Sequence, residues 1–439
     1  MNMTRNKDVE ALLPVILGGR IPYARGIRAG NWIFASGILA TDFINGLAPE
    51  VVGAGRPLSG QPRWYREAAC MYRRALEVLQ AAGADFSRVV RTDQYYPDWR
   101  AVPFLHQARR EYCGNYIAPS TSILEPRLLI PDAGMSMDLI GIRADSAWKV
   151  NAVHPTGLDL PSTSSFVPVV TVGDYVFVAG LLAAWQPGDL GGIAPEAKLP
   201  EGHLWKGNRI QLEADYIVRN KLIPALQAAG SSLNNVVKAQ VYLADIDDVP
   251  AFNQVWARHF GARIPATTFI PTLNPGFAIA DARCEINLIA MKDASANAIT
   301  IAAPAAMPVC DGHPLAVRAG DLLLFSGMVA ADGEGLVTGA RVDSRQPYFG
   351  SSVEAQMEYL LDLAQTTCEK AGTSLSNVVR IQQFHTDLND FYPACKVWQK
   401  RLPDRPLPLS AVQVPAPLIV PGCTCPRLVK EKNGASCAR

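Results

Sequence analysis

The chain has 439 residues, of which 49% are hydrophobic and 18% are charged, and its formal net charge at pH 7 is +1. This length predicts about three domains, and the composition is typical of globular proteins with several apolar cores. The near-zero charge and the lack of a basic block argue against a nucleic-acid partner, and no apolar run of about 18 residues is present to cross a membrane.

One pattern of residues occurs three times. Gly83, Gly230 and Gly372 stand at two nearly equal intervals, and each lies between a helix-like segment and a Val-Val strand signal. Internal repeats of this length indicate that one structural unit occurs several times along the chain. We therefore expect three domains, at residues 1–148, 149–294 and 295–439, and the C-terminal part of the third is degenerate.

Each copy opens with the signal of a β-hairpin. In the first copy, Gly30-Asn31 separates two apolar runs, and Gly173-Asp174 and Gly320-Asp321 do so in the others. Glycine beside Asn or Asp supplies the positive φ angles of a tight turn. The runs after the turns are apolar on both faces, which indicates strands that are covered on both sides.

An amphipathic helix follows the hairpin. In copy two, apolar residues recur with a period of about 3.6 residues, at Val218, Leu222, Ala225, Leu226 and Ala229. Copy one has the same stripe, at Met71, Ala75, Val78, Leu79 and Ala82. Gly83 and Gly230 end these helices, and Pro224 predicts a kink.

A strand, a second helix and two closing strands complete each copy. In copy two the second helix begins after Asp248, and the closing strands cover residues 267–270 and 284–290. The order ββαβαββ defines an α+β domain with its helices on one sheet face. Because the strands are apolar on both faces, we expect the other face to contact the sister repeats.

The cysteines do not form a repeated framework. Nine are present, and their positions differ between the copies, which favours a reducing cytoplasm. Cys423 and Cys425 are closer together than the usual pair of zinc ligands, and no second pair follows them. The acidic residues Asp8 and Glu10 precede the first apolar stretch, so the N-terminus is unlike a signal peptide.

Taken in order, these motifs resemble the Rid/YjgF family of reactive-intermediate deaminases. The matching pieces are Pro22-Tyr23, Ser36-Gly37, and residues 227–230, 235–238, 265–267 and 284–286. The resemblance implies a chorismate-mutase-like fold and a trimer with substrate clefts between its subunits. Three fused copies would make a pseudo-trimer from one chain. Family chemistry is the hydrolysis of enamines and imines to ketones and ammonia, with no metal or organic cofactor.

The family binds the substrate carboxylate with an arginine in a Pro-x-Arg motif. The matching positions here are Thr121, Thr267 and approximately Leu409, and none is arginine. A hydroxyl group does not replace a bidentate guanidinium. Either the substrate lacks this carboxylate, or another basic residue binds it, for which Arg127 is the candidate.

The family also positions the attacking water with a glutamate on the last strand. Glu285 matches it in copy two, Asp138 matches approximately in copy one, and copy three has Pro426. Imine hydrolysis needs a group that moves protons between water and nitrogen, and burial suits a carboxyl group because it raises the pKa. The alternative is that these acids form structural ion pairs.

Other family positions vary between the copies. The tyrosine before the hairpin corresponds to Tyr23, Phe166 and His313, the serine to Ser36, Ala179 and Ser326, and the helix asparagine to His106, Asn253 and Cys395. His106 would transfer protons near neutral pH. We expect Glu285, Asp138 and His106 to be catalytic, and the substrate-binding set to be Tyr23, Ser36, Thr121, Arg127, Phe166, Asn253 and Thr267; each also has a structural interpretation.

These positions predict one working cleft, between copies one and two, and two degenerate clefts. We expect a cytoplasmic hydrolase that acts on a C–N bond of a small imine, enamine or amide. The alternative is a non-catalytic protein that binds a small metabolite. Phosphate-loop, dinucleotide and serine-elbow motifs are absent, so we expect no cofactor. A monomeric pseudo-trimer or a homodimer is expected, without a nucleic-acid or membrane partner.

Overall fold

The structure is a computed structural model of the chain. It describes residues 9–18, 20–53, 60–158, 165–185, 191–202, 207–302, 312–332, 335–346, 348–403 and 405–416. In these ranges, no helix combines the length and the apolar character that are needed to span a bilayer.

The first repeat forms one six-stranded sheet. Its strands lie in the order β1-β2-β3-β7-β4-β5, and β4 and β5 are parallel. The elements are β1 (Val9–Leu17), β2 (Ile21–Ala29), β3 (Trp32–Ile38), α1 (Pro49–Val52), α2 (Arg63–Ala81), β4 (Val89–Tyr96), α3 (Val102–Cys113), β5 (Ser120–Leu124), β6 (Arg127–Leu128) and β7 (Ser136–Ile142).

The second repeat builds the same sheet, in the order β8-β9-β10-β15-β13-β14. Its parallel pair is β13 and β14. The elements are β8 (Asn151–Val153), β9 (Val169–Val172), β10 (Tyr175–Leu182), β11 (Ala184–Trp185), β12 (Gly192–Ile193), α4 (Arg209–Ile217), α5 (Ile223–Ala228), β13 (Val236–Leu243), α6 (Val249–Phe260), β14 (Ala266–Pro271) and β15 (Cys284–Met291).

The described part of the third repeat forms two three-stranded sheets, β16-β17-β18 and β21-β22-β6. Strand β6 of the first repeat therefore extends a sheet of the third. The elements are β16 (Ile299–Ala302), β17 (Ala316–Ala319), β18 (Leu322–Phe325), β19 (Ala331–Asp332), β20 (Gly335–Leu336), α7 (Ser352–Lys370), β21 (Ile381–His385), α8 (Phe391–Arg401) and β22 (Leu409–Gln413).

The predicted hairpins and helices are confirmed, but the sheets of the first two repeats each have one strand more than the sequence indicated. Gly30 and Gly173 occupy the turns with φ of 53° and 52°. The additional strands, β1 and β8, pair with the first strand of each hairpin, so the order is βββαβαββ. Strand β8 has three residues, and Leu13 at φ 45° interrupts the alternation of β1, so neither shows a clear period of two.

Pro224 perturbs the helix of the second repeat, as predicted. Helix α4 ends at Ile217, residues Val218–Leu222 form a π-helical turn, and α5 begins at Ile223. Proline has no amide hydrogen and its ring clashes with the carbonyl four residues earlier, so the helix widens before it. The predicted apolar stripe remains buried through this turn.

The inner faces of the sheets share one apolar core to which all three repeats contribute. Trp32 is 1% exposed, and its ring centroid lies 4.9 Å from that of Tyr175 in an edge-on contact. Its indole N–H donates to the Asp321 carboxylate of the third repeat at 3.0 Å. Other members of the core are Phe34, Ile140, Val170, Phe177, Val237, Ile289, Val317 and Ala319. The second sheet face is thus covered by sister repeats, as expected.

Trp32→Ala is expected to lower the free energy of unfolding by about 3–5 kcal/mol, because it removes a buried ring that touches two other repeats. Trp99→Ala is the matched control; Trp99 is 66% exposed, so a change within about 0.5 kcal/mol is expected. Urea unfolding measures both values. Equal losses in the two variants would contradict a core shared by the repeats.

Candidate active site

Backbone hydrogen bonds join each repeat to the other two, and we call these contacts the 1–2, 1–3 and 2–3 junctions. The donor and acceptor pairs are Val167 N–H and Ile117 O at 2.8 Å, Ala24 N–H and Leu407 O at 3.0 Å, and Gly327 N–H and Thr267 O at 3.0 Å. The predicted pseudo-trimer requires such contacts between each pair of neighbours, and its symmetry stays a prediction.

A basic residue at the start of each repeat's central strand reaches across a junction. Arg91 donates to the Val178 carbonyl at 3.4 Å, and Lys238 donates to the Phe325 carbonyl at 2.6 Å. Arg380, just before β21, lies 3.3 Å from the Asp138 carboxylate. The central strands β4, β13 and β21 therefore meet one another through polar side chains.

Asp93 balances the charge where these strands meet. It is fully buried and forms ion pairs with Arg91 at 2.8 Å and with Arg380 at 2.6 Å. Burial opposes ionisation, but the two guanidinium groups outweigh it and hold the pKa of Asp93 below its usual value. An ionised Asp93 thus couples the first repeat to the third.

Amide and phenol groups extend this hydrogen-bonded network along the same three strands. The Gln240 amide donates to Gln382 at 3.0 Å, and Gln382 donates to the Tyr95 hydroxyl at 3.3 Å. The hydroxyls of Tyr95 and Tyr242 are 3.3 Å apart. All three repeats contribute to this network, which fixes the strands relative to one another.

At the 1–3 junction, Asp138 is committed to structural contacts. Its carboxylate accepts the Gly37 N–H at 2.7 Å and the Gln382 amide at 2.9 Å, in addition to the contact with Arg380. Burial raises the pKa of Asp138, while these donors favour the charged form. The Tyr23 hydroxyl donates to the Ser36 carbonyl. With three partners, Asp138 fits the structural ion pair better than the catalytic acid.

At the 2–3 junction, the candidate groups are paired with one another. Asn253 lies 2.6 Å from the His313 ring nitrogen, and burial lowers the pKa of His313 to about 4. The Ser326 hydroxyl accepts the Thr267 N–H at 3.0 Å and donates to the Pro314 carbonyl at 2.6 Å. The His313–Asn253 and Thr267–Ser326 bonds join the two repeats.

At the 1–2 junction, Glu285 has a different environment. Its side chain is 5% exposed, and it has no hydrogen-bond partner in the described part of the chain. A Cβ at position 180 would overlap this carboxyl group and lie 2.8 Å from the Thr121 hydroxyl, so the two groups flank Gly180. Burial, only partly offset by Arg91, raises the pKa of Glu285 to about 8.

Gly180 lies in an interruption of the strand ladder. The register between β10 and β15 shifts between Val178 and Leu181, and β3 and β7 show the same shift between Ala35 and Ile38. Bulges of this kind are common beside active sites because they redirect side chains. Here the bulge and the missing side chain of Gly180 leave the space that the Glu285 carboxyl group occupies.

The register of the last strands shows that Asp138 and Glu285 are not equivalent, although the sequence pattern matched them approximately. Asp138 is opposite Asp93, and the matching pair in the second repeat is Asn287 opposite Gln240. Glu285 is opposite Tyr242, one pleat away. A shift of two residues keeps a side chain on the same face, so the strand period conceals the error.

The position matched to the family arginine in copy two is also shifted, here by one residue. Thr121 is opposite Asp93, whereas Thr267 is opposite Ala239 and Thr268 is opposite Gln240. Thr121 thus corresponds to Thr268, and their hydroxyls accept hydrogen bonds from Arg91 at 3.3 Å and from Lys238 at 2.5 Å. Strands β5 and β14 contain no arginine, so the family arginine is absent whichever threonine is matched to it.

The other residues predicted for the site lie on helix α3, on strand β6 and next to the 1–2 junction. His106 lies on α3, and burial, with Arg109 and Arg110 nearby, lowers its pKa to about 3, so it is uncharged at neutral pH. Arg127 is exposed on β6, opposite Gln413 of the third repeat. Phe166 is half-buried next to the 1–2 junction. Pro426 lies outside the described residues.

The structure places the residues predicted for the single cleft at three different junctions, and their roles stay a prediction. Tyr23, Ser36 and Asp138 belong to the 1–3 junction. Asn253 and Thr267 belong to the 2–3 junction, and Thr121 and Glu285 to the 1–2 junction. The sequence gives no partner for a residue across a junction, because the repeats touch through surfaces that are distant along the chain.

Sequence reasoning missed Arg91, Asp93, Arg380 and Gly180. A signal for the basic residues was present, because Val-Val-Arg, Val-Val-Lys and Val-Val-Arg occur at residues 89–91, 236–238 and 378–380. A basic residue directly after two valines, at the start of an apolar strand in every copy, points to a charged network inside the molecule. In the described ranges, no group of three or more His, Cys, Asp and Glu residues is placed to hold a metal, and Cys423 and Cys425 lie outside them.

Comparison with known proteins agrees with this architecture. The sequence model of the family described as endoribonuclease L-PSP matches three times, at residues 17–142, 157–292 and 305–421. These matches cover most of the chain, so the protein belongs to this family, the Rid/YjgF family. It has three tandem copies of the family's chorismate-mutase-like α+β fold. Each match falls within one predicted domain, and the domain boundaries stay a prediction.

Individual relatives correspond to single repeats. A RutC family protein of Pyrococcus abyssi is 35% identical over 97 residues, which are 22% of this chain and 65% of the relative. A RutC family protein of Pyrococcus horikoshii is 31% identical over 116 residues, 26% of this chain and 75% of the relative. Yeast Mmf1, a protein with a crystal structure, is 25% identical in sequence. The match covers 33% of this chain and 100% of the Mmf1 chain, with a TM-score of 0.26.

Asp93→Ala is expected to lower the free energy of unfolding by about 3–5 kcal/mol, because two guanidinium groups would remain buried without their partner. Asp145→Ala is the control, since the ion pair of Asp145 with Arg143 is exposed and is screened by solvent, so its loss should have little effect on stability. Denaturant unfolding at neutral pH compares them. A loss below about 1 kcal/mol for Asp93→Ala would show that the buried network does not couple the repeats.

Glu285→Gln is expected to make the protein more stable than wild type, increasingly so as the pH rises from about 4.5 to about 8. Folded wild type keeps a proton on Glu285 that the unfolded state releases in this window, so rising pH lowers the stability of the wild type relative to the variant. The difference should grow by up to about 1.4 kcal/mol per pH unit. Exposed Glu196→Gln is the control. A difference that does not change with pH would mean that Glu285 titrates normally.

Proposed function

We propose that this protein hydrolyses a C–N bond of a small imine, enamine or amide, with Glu285 as its acid–base group. The observation that carries the proposal is the environment of Glu285 at the 1–2 junction. Its carboxyl group is buried beside Gly180 and Thr121, has no partner among the described residues, and has a pKa of about 8. Strongly perturbed carboxyl groups in such positions are typical of catalytic sites.

The protonated Glu285 would act first as an acid. It donates its proton to the imine nitrogen, and water attacks the carbon of the resulting iminium. The Glu285 carboxylate then takes a proton from the attacking water and returns it to the amine. As ammonia leaves the carbinolamine, the carboxylate takes the hydroxyl proton, so the ketone forms and Glu285 is protonated again. The sum is imine plus water to ketone plus ammonia. A pKa near neutrality suits both transfers.

Thr121 and Asn287 would orient the substrate. The Thr121 hydroxyl accepts hydrogen bonds from Arg91 at 3.3 Å and from Asn287 at 3.0 Å, so its own hydrogen is directed elsewhere and can be donated. Arg91 is engaged by Asp93, and the residue two places after Pro119 is Thr121 and not an arginine. We therefore propose a substrate without a carboxylate at this place.

Two other functions would compete with this one. A non-catalytic metabolite-binding protein would use the same junction without turnover. RNA cleavage is suggested by the description of the family, but the net charge of +1 and the lack of a basic block disfavour it. The cytoplasmic location and the oligomeric state stay predictions.

Ammonia release from a panel of small imines, enamines, amides and cyclic ureas tests the proposal. Glu285→Gln is expected to lower kcat by about 100-fold or more, the usual contribution of an acid–base group. Gly180→Ala should also lower kcat, because its methyl group displaces the Glu285 carboxyl group.

Ser326→Ala is the control. Ser326 occupies the family serine position at the 2–3 junction, where the second repeat already has Ala179, so its activity should remain near that of wild type. Equal losses in Ser326→Ala and Glu285→Gln would contradict a site at the 1–2 junction. No ammonia release from any compound, with ligand-induced stabilisation instead, would favour the binding protein.

A further inference from the structure

Lys238 is the one lysine among the three basic residues at the start of the central strands. It is opposite Ile289 on β15, as Arg91 is opposite Ile140 on β7, so the two residues occupy equivalent places. Arg380 follows the same pair of valines in the third repeat. The fold therefore accepts a guanidinium group at this place twice, and the second repeat has an amine there instead.

The amine of Lys238 lacks the carboxylate that the two arginines share. Both arginines pair with Asp93, at 2.8 Å and 2.6 Å. The Lys238 amine donates instead to two neutral oxygens, the Thr268 hydroxyl at 2.5 Å and the Phe325 carbonyl at 2.6 Å, and no described carboxylate lies within ion-pair distance of it. An ammonium ion has three hydrogens to donate. A neutral amine has two, so it makes both bonds and keeps its lone pair for an electrophile.

The surroundings of Lys238 favour this neutral form. Burial, together with the positive charges of Arg380 and Arg91, lowers the pKa of the amine to about 7, from the ordinary value of 10.5. At neutral pH the neutral fraction of Lys238 is therefore about a thousandfold larger than that of an ordinary lysine. The side chain is half-buried, so solvent reaches part of it.

We propose that Lys238 is a modification site for carbon dioxide, which its amine binds covalently as a carbamate. The amine nitrogen attacks the carbon of CO2, a C–N bond forms, one C=O double bond becomes a single bond to an anionic oxygen, and a proton passes from the nitrogen to solvent.

The charges near Lys238 select CO2 among electrophiles that react with amines. A carbamate places a negative charge near the guanidinium groups of Arg380 and Arg91, which attract it. An imine formed with an aldehyde or a ketone carries no negative charge and gains nothing from these groups. The carbamate would thus give the second repeat the anion that Asp93 supplies to the basic residues of the other two.

Equilibration of the full chain with carbon-13-labelled CO2 and bicarbonate in neutral buffer tests this inference. Alkylation with triethyloxonium ion converts any carbamate into a stable ester, and mass spectrometry of the peptides locates the added mass. Lys238 is expected to carry at least about tenfold more label than other lysines, because of its larger neutral fraction. The N-terminal amine also reacts, since its ordinary pKa leaves it partly neutral, and its peptide is counted separately.

Lys238→Arg should abolish one carbamate signal in the carbon-13 NMR spectrum, because a guanidinium group stays charged. The first and third repeats already have arginine at the equivalent place, so the variant is compatible with the fold. Lys292→Arg is the matched control. Lys292 is also half-buried, and its amine donates to the Gly173 carbonyl at 2.8 Å, so the spectrum of this variant should equal that of wild type.

An unlabelled Lys238 in the wild type, equal label on all lysines, or an unchanged carbamate signal in Lys238→Arg would overturn the proposal. The peptide measurement needs no variant, so it decides the question even where Lys238→Arg does not fold. Because a covalent adduct and not turnover is measured, none of these results depends on the function proposed for Glu285.

Discussion

The buried contact of Asp93 with Arg91 and Arg380 is the constraint on which the arrangement of the repeats depends. Removing two guanidinium groups from water is costly, and only a nearby ionised carboxylate offsets that cost. Asp93 provides it from the first repeat, while the equivalent positions in the other repeats are the neutral Gln240 and Gln382. Asp93 is therefore the one carboxylate that pairs with both arginines, while Asp138 adds a second contact to Arg380 alone.

Fusion of the repeats into one chain is what permits this asymmetry. In a homotrimer, a given position carries the same residue three times, so three aspartates or three glutamines would face one another. Three buried aspartates would repel, and three glutamines would leave the basic residues unpaired. A single chain can place one aspartate beside two amides, and the hydrogen bond between Gln240 and Gln382 shows that the amides satisfy each other.

Because the fused repeats carry different residues at equivalent positions, the three junctions also differ in their contacts. Asp138 neutralises part of the charge of Arg380 at the 1–3 junction, and the His313–Asn253 contact fills the 2–3 junction. Glu285 alone among these groups is buried without a partner in the described residues. An unpartnered buried carboxyl group is destabilising, so a function for Glu285 explains its position better than stability does.

Much of the fold could be read from the sequence, because hairpin turns and helical stripes are local. The glycine turns, the buried stripe of α2 and the effect of Pro224 all follow from residues within one turn or one helix. The partners of Asp138 and Glu285 could not be predicted in the same way. A strand repeats every two residues, so Asn287 and Glu285 fit the same pattern, and only the register with β13 distinguishes them.

The pKa of Glu285 is the measurement that tests this account most directly. Infrared difference spectroscopy of wild type and Glu285→Gln, recorded from pH 4 to pH 10, isolates the C=O stretch of this one protonated carboxyl group. The account predicts that the band persists at neutral pH and is lost with a midpoint near pH 8. Loss of the band near pH 4.5, the ordinary value for glutamate, would mean that Glu285 is an ordinary carboxylate and would contradict its role as the acid.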